Sequence, residues 1–381
     1  MSKKVAYLIS CSDHYAHRLH VADSYLRNCG YDTVYVTSDF DHTSKQPFQC
    51  SVSGCVQIHA RPYLKNLSLD RILSHREFAR DTFRYLETLD QLPAVVVVLI
   101  PPNFLAHYAA KYKNKHPEVK LIFDIFDLWP ETFPFGRLKK LLAPVFRIWA
   151  WVRDHSLHAA DFITTECDLF REKLKLPKEK SATVYLCAKP LEIPPIPAVL
   201  REDALDLCYL GAINNVIGIS DICQLIEQLV KTKPVTLHVI GKGERQREFI
   251  DAATAAGAEV IYYGVIYDDA EKQKILSRCH FGLNIMKSSV CVGLTMKSIE
   301  YFRFGLPIIN NIPADTERMV EENDIGVQVG ERCFERILGL TVEQNALLRK
   351  NVERVFNSMF LERNVCERFA SFLNLIFGKD R

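Results

Sequence analysis

At 381 residues the chain is long for one compact core, and two domains of about 150–200 residues each are the natural expectation. Its 48 Lys and Arg against 46 Asp and Glu leave a formal net charge of +2 and no aromatic–basic motif, which argues against nucleic acid as a partner. The 12 cysteines are scattered without a C-x-x-C pair, many inside apolar runs such as the LDLCYL around Cys208; they read as buried thiols in a reducing compartment, with no metal-ligand spacing and so no metal expected.

In chain order, MSKKVAYLIS continues into polar CSDHYAHR without a small-residue cleavage site, so it reads as a first strand and not a signal peptide. VAYLIS (5–10), TVYVTS (33–38), AVVVVLI (94–100), KLIFDIF (120–126), DFITT (161–165) and ATVYL (182–186) read as strands. Amphipathic stretches lie between them, His14 to Cys29 and Arg71 to Leu89 among them. Continuous apolar strands alternating with helices indicate a parallel sheet covered on both faces. The longest apolar run, Leu92 to Ile100, contains Pro93 and falls far short of the roughly 20 residues that span a bilayer.

Within this half, His14 and His17 lie one helical turn apart after the first strand; each is a candidate for a cleft and equally for a hydrogen-bonded structural histidine. Asp39 and Asp41 spell an Asp-x-Asp, read as a polar loop and not as a metal pair. Asp127 follows KLIFDIF, at the carboxyl end of a strand, where it could orient an acceptor hydroxyl or take its proton; the alternative is a cap on the turn before Trp129 and Pro130. Glu131 is close behind. Residues 137–153 carry five basic residues, no acidic ones and two tryptophans. Leu138, Leu141, Val145, Ile148 or Trp149, and Val152 mark an apolar stripe, with Arg137, Lys140, Arg147 and Trp151 on another face that would suit an anionic membrane surface.

Pro190, Pro194, Pro195 and Pro197 in residues 189–203 preclude a regular helix and mark an interdomain linker. The second half repeats the alternation with LDLCYLG (205–211), VTLHVIG (235–241), AEVIYYG (258–264), FGLNIM (281–286) and LPIIN (306–310). Ligands of such sheets bind beyond the carboxyl ends of the strands. The segment Thr341 to Phe377 is helical in pattern and long enough to cross back over the first domain.

The run GLTMKSIEYFRFGLP (293–307) is the most telling stretch. Thr295 suits an N-cap, and Gly293 lets backbone N–H groups at a helix N-terminus approach an anion such as a pyrophosphate. Lys297 and Glu300 are three apart and share a face, so a cation and a carboxylate could address one ligand, the carboxylate taking two ribose hydroxyls. The alternative is a solvated surface pair before an ordinary helix stop at Gly305.

Two doubly wound domains, a proline linker, Gly211 after the first strand of the second half and K-x-x-E-Y-x-x-x-G-x-P from Lys297 together resemble the GT-B glycosyltransferases, in particular the family 4 type of bacterial capsule, exopolysaccharide and O-antigen assembly. FDLWPETFP (126–134) is similar to the D-L-W-P-E-S run of the acceptor domain of related transferases. The resemblance implies an α/β fold with two Rossmann-like domains facing a cleft and a C-terminal helix returning to the first. It divides the chain into an acceptor domain (1–188), the linker (189–203), a nucleotide-sugar domain (204–340) and a C-terminal segment (341–381) crossing back. It implies transfer of a hexose from a nucleotide-diphosphate sugar, a UDP-sugar first, to a glycan or lipid-linked saccharide. No cofactor or metal is implied, retention is favoured over inversion, and the location is cytoplasmic, peripheral on the inner face of the plasma membrane.

Carried onto this sequence, the resemblance places Glu300 on the ribose and Gly293, Leu294 and Thr295 near the phosphates, with Gly211, Asn214, Asn215, Lys242, Lys287 and Lys297 also at the donor. Asp127, Glu131 and His14 are the acceptor-side candidates for catalysis. Two departures stand out: Val292 occupies the position of a second glutamate, and Asn214 and Asn215 replace the usual Arg and Lys, leaving Lys242, Arg245, Lys287 and Lys297 as basic candidates for the leaving group. An epimerase or hydrolase of the same fold, or a non-catalytic partner subunit, are the competing readings.

Overall fold

The structure, a computed structural model, describes residues 4–12, 16–66, 68–133 and 143–377. Its contacts divide the chain into two compact units, residues 1–185 with 365–381, and residues 186–364.

The first unit runs β1 (Val5–Ile9), α1 (Ala16–Asn28), β2 (Asp32–Ser38), a small hairpin of β3 (Phe40–Asp41) and β4 (Gln46–Pro47), β5 (Val56–Ile58), α2 (Leu69–Glu87), β6 (Val95–Ile100), α3 (Asn103–Lys115), β7 (Lys120–Ile125), α4 (Ala143–Asp154), β8 (Phe162–Thr165), α5 (Asp168–Lys173) and β9 (Ser181–Thr183). Seven strands form one parallel sheet in the order β5-β2-β1-β6-β7-β8-β9. The strand order reverses between β1 and β6, whose central residues Ala6, Leu8, Val96 and Val98 are fully buried. Burial on both faces is why these strands read as unbroken apolar runs.

One buried ion pair ties the first helix to this sheet. Arg18 on α1 makes a bidentate pair with Asp124 on β7, at 2.8 and 2.6 Å, and donates to the Val184 carbonyl at 3.1 Å. Thr164 on β8 donates to the same carboxylate at 2.8 Å. Such geometry compensates the desolvation of both charges.

The second unit runs β10 (Leu205–Leu210), α6 (Ile219–Leu229), β11 (Val235–Ile240), α7 (Gln246–Ala255), β12 (Glu259–Gly264), α8 (Asp269–Leu276), β13 (Phe281–Asn284), α9 (Met296–Arg303), β14 (Ile308–Asn310), α10 (Asp315–Asn323), β15 (Gly326–Gln328), α11 (Cys333–Leu338) and α12 (Val342–Val355). Its six parallel strands lie in the order β12-β11-β10-β13-β14-β15, reversing between β10 and β13. The core joins the strands to the apolar face of α6, where Ile222, Leu225, Ile226 and Leu229 are buried.

Each strand expected from the sequence is present. Short β5, the β3–β4 hairpin and edge strand β15 were not expected, since two or three residues leave no periodicity to read. Residues 186–203 cluster with the second unit: Lys189 accepts a hydrogen bond from Arg303 at 2.8 Å and Val199 donates to Ser277 at 3.0 Å. The C-terminal segment 341–381 is shared: α12 belongs to the second unit, and α13 (Glu362–Phe377) joins the first from Val365 onward. There Phe369 meets the Tyr25 ring edge-on at 6.4 Å and Asn374 accepts from the Tyr25 hydroxyl at 2.7 Å. No helix among the described residues is long and apolar enough to cross a membrane.

Candidate functional site

A cavity of about 430 Å³ opens beyond the carboxyl end of β10, where the strand order of the second sheet reverses. Two loops meet at its floor, backbone against backbone. Gly211 and Gly241 hold φ +122° and +140°, and a Cβ on Gly241 would stand 1.9 Å from the Gly211 carbonyl oxygen. A Cβ on Gly243 would stand 2.1 Å from that of Ile213. No larger residue fits either place. Residues 216–218 then pair with the strand end at Met286, Val216 accepting from the Lys287 N–H at 3.0 Å.

Helix α9 forms the facing wall. Thr295 is its N-cap, accepting from the Ser298 N–H at 3.1 Å, while Ser298 reaches back toward the Thr295 N–H at 3.4 Å in a capping box. The Thr295 hydroxyl also donates to Asn284 at 2.8 Å, fixing the helix start to the end of β13. Deeper in, the Tyr301 hydroxyl donates to the Cys208 carbonyl at 3.0 Å and accepts from the Leu210 N–H at 2.8 Å, filling the gap where β10 and β13 part. Gly282 makes room for that ring, since a Cβ there would lie 2.7 Å from it.

Thr295, Met296, Lys297 and Glu300 all line the cavity. The first-turn N–H groups of an α-helix have no intrahelical acceptor, so this wall presents donors and partial positive charge. Lys297 makes no ion pair among the described residues; its ammonium sits 3.9 Å over the Tyr209 ring, and loss of water pushes its pKa down to about 7. Glu300 pairs instead with Lys272 of α8 at 2.7 Å and stands 3.7 Å from Arg303, while Asp269 pairs with both cations at 3.1 and 2.6 Å. The solvated Lys297–Glu300 pair is therefore absent. A carboxylate has about four lone-pair positions, so Lys272 orients Glu300 and leaves acceptor capacity toward the cavity.

Of the other donor candidates, Gly211 and Asn214 line the cavity, and Asn214 also accepts from the Val216 N–H at 3.1 Å. Asn215 does not: its amide donates to Glu244 at 2.5 Å. Lys242 and Lys287 are not in the wall, and Arg245 is held by Glu248 at 2.7 Å. Gly293 and Leu294 are buried behind it, the Gly293 carbonyl accepting from the Thr316 N–H at 2.9 Å and its hydroxyl at 2.7 Å. Gly293 thus locks the entry loop to α10 and brings no backbone to the cavity. Tyr209, Leu210, Ala212, Val216, Ile217 and Met286 complete the lining; they carried no sequence signal, being apolar residues at strand ends and in loops.

A second cavity, of about 260 Å³, lies at the equivalent place in the first sheet, beyond the ends of β1, β6 and β7. Trp129 lines it, and FDLWP builds that side. Asp127 accepts from the Leu128 N–H at 2.8 Å and from the Trp129 indole at 2.5 Å, and burial pushes its pKa up. Asn103 and the buried Arg153 hold the Trp129 carbonyl at 3.0 and 2.6 Å, and Arg153 pairs with Glu131 at 2.8 Å. Asp127 and Glu131 do not line the cavity; their geometry is that of a turn cap and of a buried pair that position Trp129. His14 and residues 137–142 lie outside the described residues. The ring of His75 stacks on Trp129 at 5.8 Å and the guanidinium of Arg71 caps it at 4.5 Å. Asp39 and Asp41 are spent on their loop, accepting from the N–H groups of Ala60 at 2.8 Å and Thr43 at 2.7 Å.

On α4, Val145, Ile148 and Trp151 are 53, 65 and 58% exposed, and Arg147 is exposed beside them. The expected stripe holds only in part: Val145 and Ile148 are exposed together with Arg147 and Trp151, whereas Trp149, the alternative to Ile148, packs on Trp129 and Phe133 at 6.1 and 5.6 Å.

Residues 204–337 match the family model described as glycosyl transferases group 1. No curated protein sequence matches. Among solved structures, the apo lipopolysaccharide outer core galactosyltransferase WaaB is 14% identical with a TM-score of 0.64, covering 99% of both chains. Anabaena HepE in complex with UDP is 12% identical with a TM-score of 0.64, over 97% of this chain and 99% of that one. Apo OtsA is 10% identical with a TM-score of 0.65, over 98 and 99%. At such identities the likeness is one of fold, and it spans the whole chain: the chain has the GT-B fold, and residues 204–337 of its second unit match the glycosyl transferases group 1 model.

Proposed function

We propose that the chain is a glycosyltransferase that moves a hexose from a nucleotide-diphosphate sugar, a UDP-sugar, to a glycan or lipid-linked saccharide in cell-surface polysaccharide assembly. The observation that carries this reading is the convergence of the α9 N-terminus, Lys297 and an oriented Glu300 on one cavity beyond β10. That wall suits a nucleoside diphosphate: Glu300 accepts from the ribose hydroxyls, and the first-turn N–H groups with Lys297 face the diphosphate, stabilising charge as the sugar leaves. The UDP in the HepE complex and the galactosyltransferase activity in the name of WaaB agree with such a donor. On this reading the transfer needs no metal and retains configuration, and Lys297 supplies the positive charge that the Asn214–Asn215 pair does not.

On the acceptor side, Asp127 and Glu131 act as positioning residues for Trp129, which lines the first-unit cavity, and His14 is proposed to take the acceptor proton. The exposed face of α4 supports peripheral docking on anionic lipid, at the inner face of the plasma membrane. Flotation with anionic vesicles checks that part: salt-sensitive association lost in Trp151→Asp is expected, and its absence in the parent protein removes it.

The central test is incubation with a panel of nucleotide-sugars with and without saccharide acceptors. UDP released only when acceptor is present supports transfer. Release or sugar isomerisation without acceptor points to a hydrolase or epimerase, and binding without turnover points to a partner subunit.

A further inference from the structure

The first-unit cavity holds a cluster that no transfer step uses. Cys11 follows β1, His42 follows the first strand of the β3–β4 hairpin and His75 sits on α2, and their donor atoms all lie within 4.8 Å of one another. The Cys11 sulfur is 2.9 Å from His42 Nε2. His42 Nδ1 stands 2.8 Å from the Tyr63 hydroxyl, and the two rings stack at 5.7 Å. His75 is 3% exposed, yet its imidazole makes no hydrogen bond to any described residue and it lines the cavity.

We propose that Cys11, His42 and His75 form a binding site for a zinc-type divalent ion. Thiolate and imidazole are the donor set that soft and borderline ions select. Zinc takes sulfur at about 2.3 Å and imidazole nitrogen at about 2.0–2.1 Å, which sets tetrahedral donors between about 3 and 4 Å apart, a spacing that small side-chain rotations reach from the observed cluster. His42 Nε2 also lies 2.9 Å from the Cys11 carbonyl, to which it donates, so without an ion Nδ1 accepts from the Tyr63 hydroxyl. Ion binding shifts the proton to Nδ1, which then donates to the Tyr63 oxygen as outer partner and turns the Nε2 lone pair to the ion. The three ligands leave a fourth position open to the cavity.

No carboxylate lines that cavity, and Arg71 does, with its buried Nε lacking a hydrogen-bond partner. A guanidinium disfavours a bare dication but favours the Cys11 thiolate and an oxyanion or hydroxide in the fourth position, so the site is completed by an anion. Binding takes sulfur as thiolate, and the thiol proton goes to solvent. The proposal does not rest on the donor reading above.

Chelator-treated full-length protein titrated with Co²⁺ under reducing conditions tests it. About one equivalent is expected, with the intense visible bands of a tetrahedral site and a sulfur-to-cobalt charge-transfer band, both abolished by Zn²⁺. Cys11→Ser should remove the charge-transfer band. His75→Gln should weaken affinity by more than about 100-fold, and Tyr63→Phe by about 10- to 100-fold, as losing an outer partner does. Circular dichroism and thermal unfolding check that each variant folds; should Cys11→Ser fail, His75→Gln carries the test. Parent protein without the band, or a band kept by Cys11→Ser, or unchanged affinity in His75→Gln, overturns the site.

Discussion

Beyond β10 the cavity wall is a helix N-terminus, a lysine and a carboxylate; beyond β1 it is an indole, two imidazoles and a thiol. Both lie where the strand order of a parallel sheet reverses, so the architecture supplies the place and the loops supply the chemistry. They are also held differently. The second-unit site rests on backbone contacts that only glycine permits and on one tyrosine wedged between strands. The first-unit site rests on stacked rings and on the Arg153–Glu131 pair that holds the Trp129 carbonyl.

The largest expected effect breaks the first-unit anchor. Asp124→Ala leaves the Arg18 guanidinium buried without its bidentate partner and should cost about 3–5 kcal/mol in urea unfolding. Amide exchange should rise in β1, β6 and β7 more than in β10 and β11. An unchanged midpoint would mean that water reaches Arg18 and that the anchor argument fails.

Next in size, Glu300→Gln should weaken UDP binding by about 2–3 kcal/mol, the worth of a hydrogen bond to a charged group, while Co²⁺ uptake by the first unit stays as it was. Calorimetry reads the first and absorbance the second. Equal UDP affinity in the variant removes the ribose assignment. Gly282→Ala should follow: its Cβ meets the Tyr301 ring at 2.7 Å, an overpacking of about 1–3 kcal/mol that moves α9. Thermal unfolding and UDP affinity should fall together there, since Tyr301 and the site share one helix.

These two sites were not equally legible in the sequence. Thr295, Lys297 and Glu300 fall within six residues of one helix, so spacing alone put them on a shared wall and the glycines marked the turns. Their true pairings were hidden: Lys272 lies 28 positions from Glu300, and Gly293 turned out to serve the loop. Cys11, His42 and His75 come from three connections of a parallel sheet, brought together by crossovers that leave no local periodicity. Asp127 was legible as a strand-end carboxylate, but its contact with Trp129, two residues on, needed the turn geometry to settle.

The smallest expected effect concerns Lys297 and sharpens the contrast most directly, because the first-unit cavity lining has no lysine. Burial holds its pKa near 7 against an ordinary 10.5. In the unliganded protein its charge is therefore lost as pH rises through about 7, whereas a diphosphate favours the charged form and raises the pKa on binding. UDP affinity should accordingly fall as pH rises above about 7, with a slope of at most tenfold per unit, until the pKa of the complex is passed. The unfolded chain binds the extra proton between the two values, so folding stability should move the opposite way, rising with pH from about 7 toward 10.5. Lys297→Met should flatten both profiles while keeping the stem against Tyr209. A pH slope in UDP affinity that persists in Lys297→Met would assign the titration to another group and leave the helix N-terminus as the phosphate contact without its lysine.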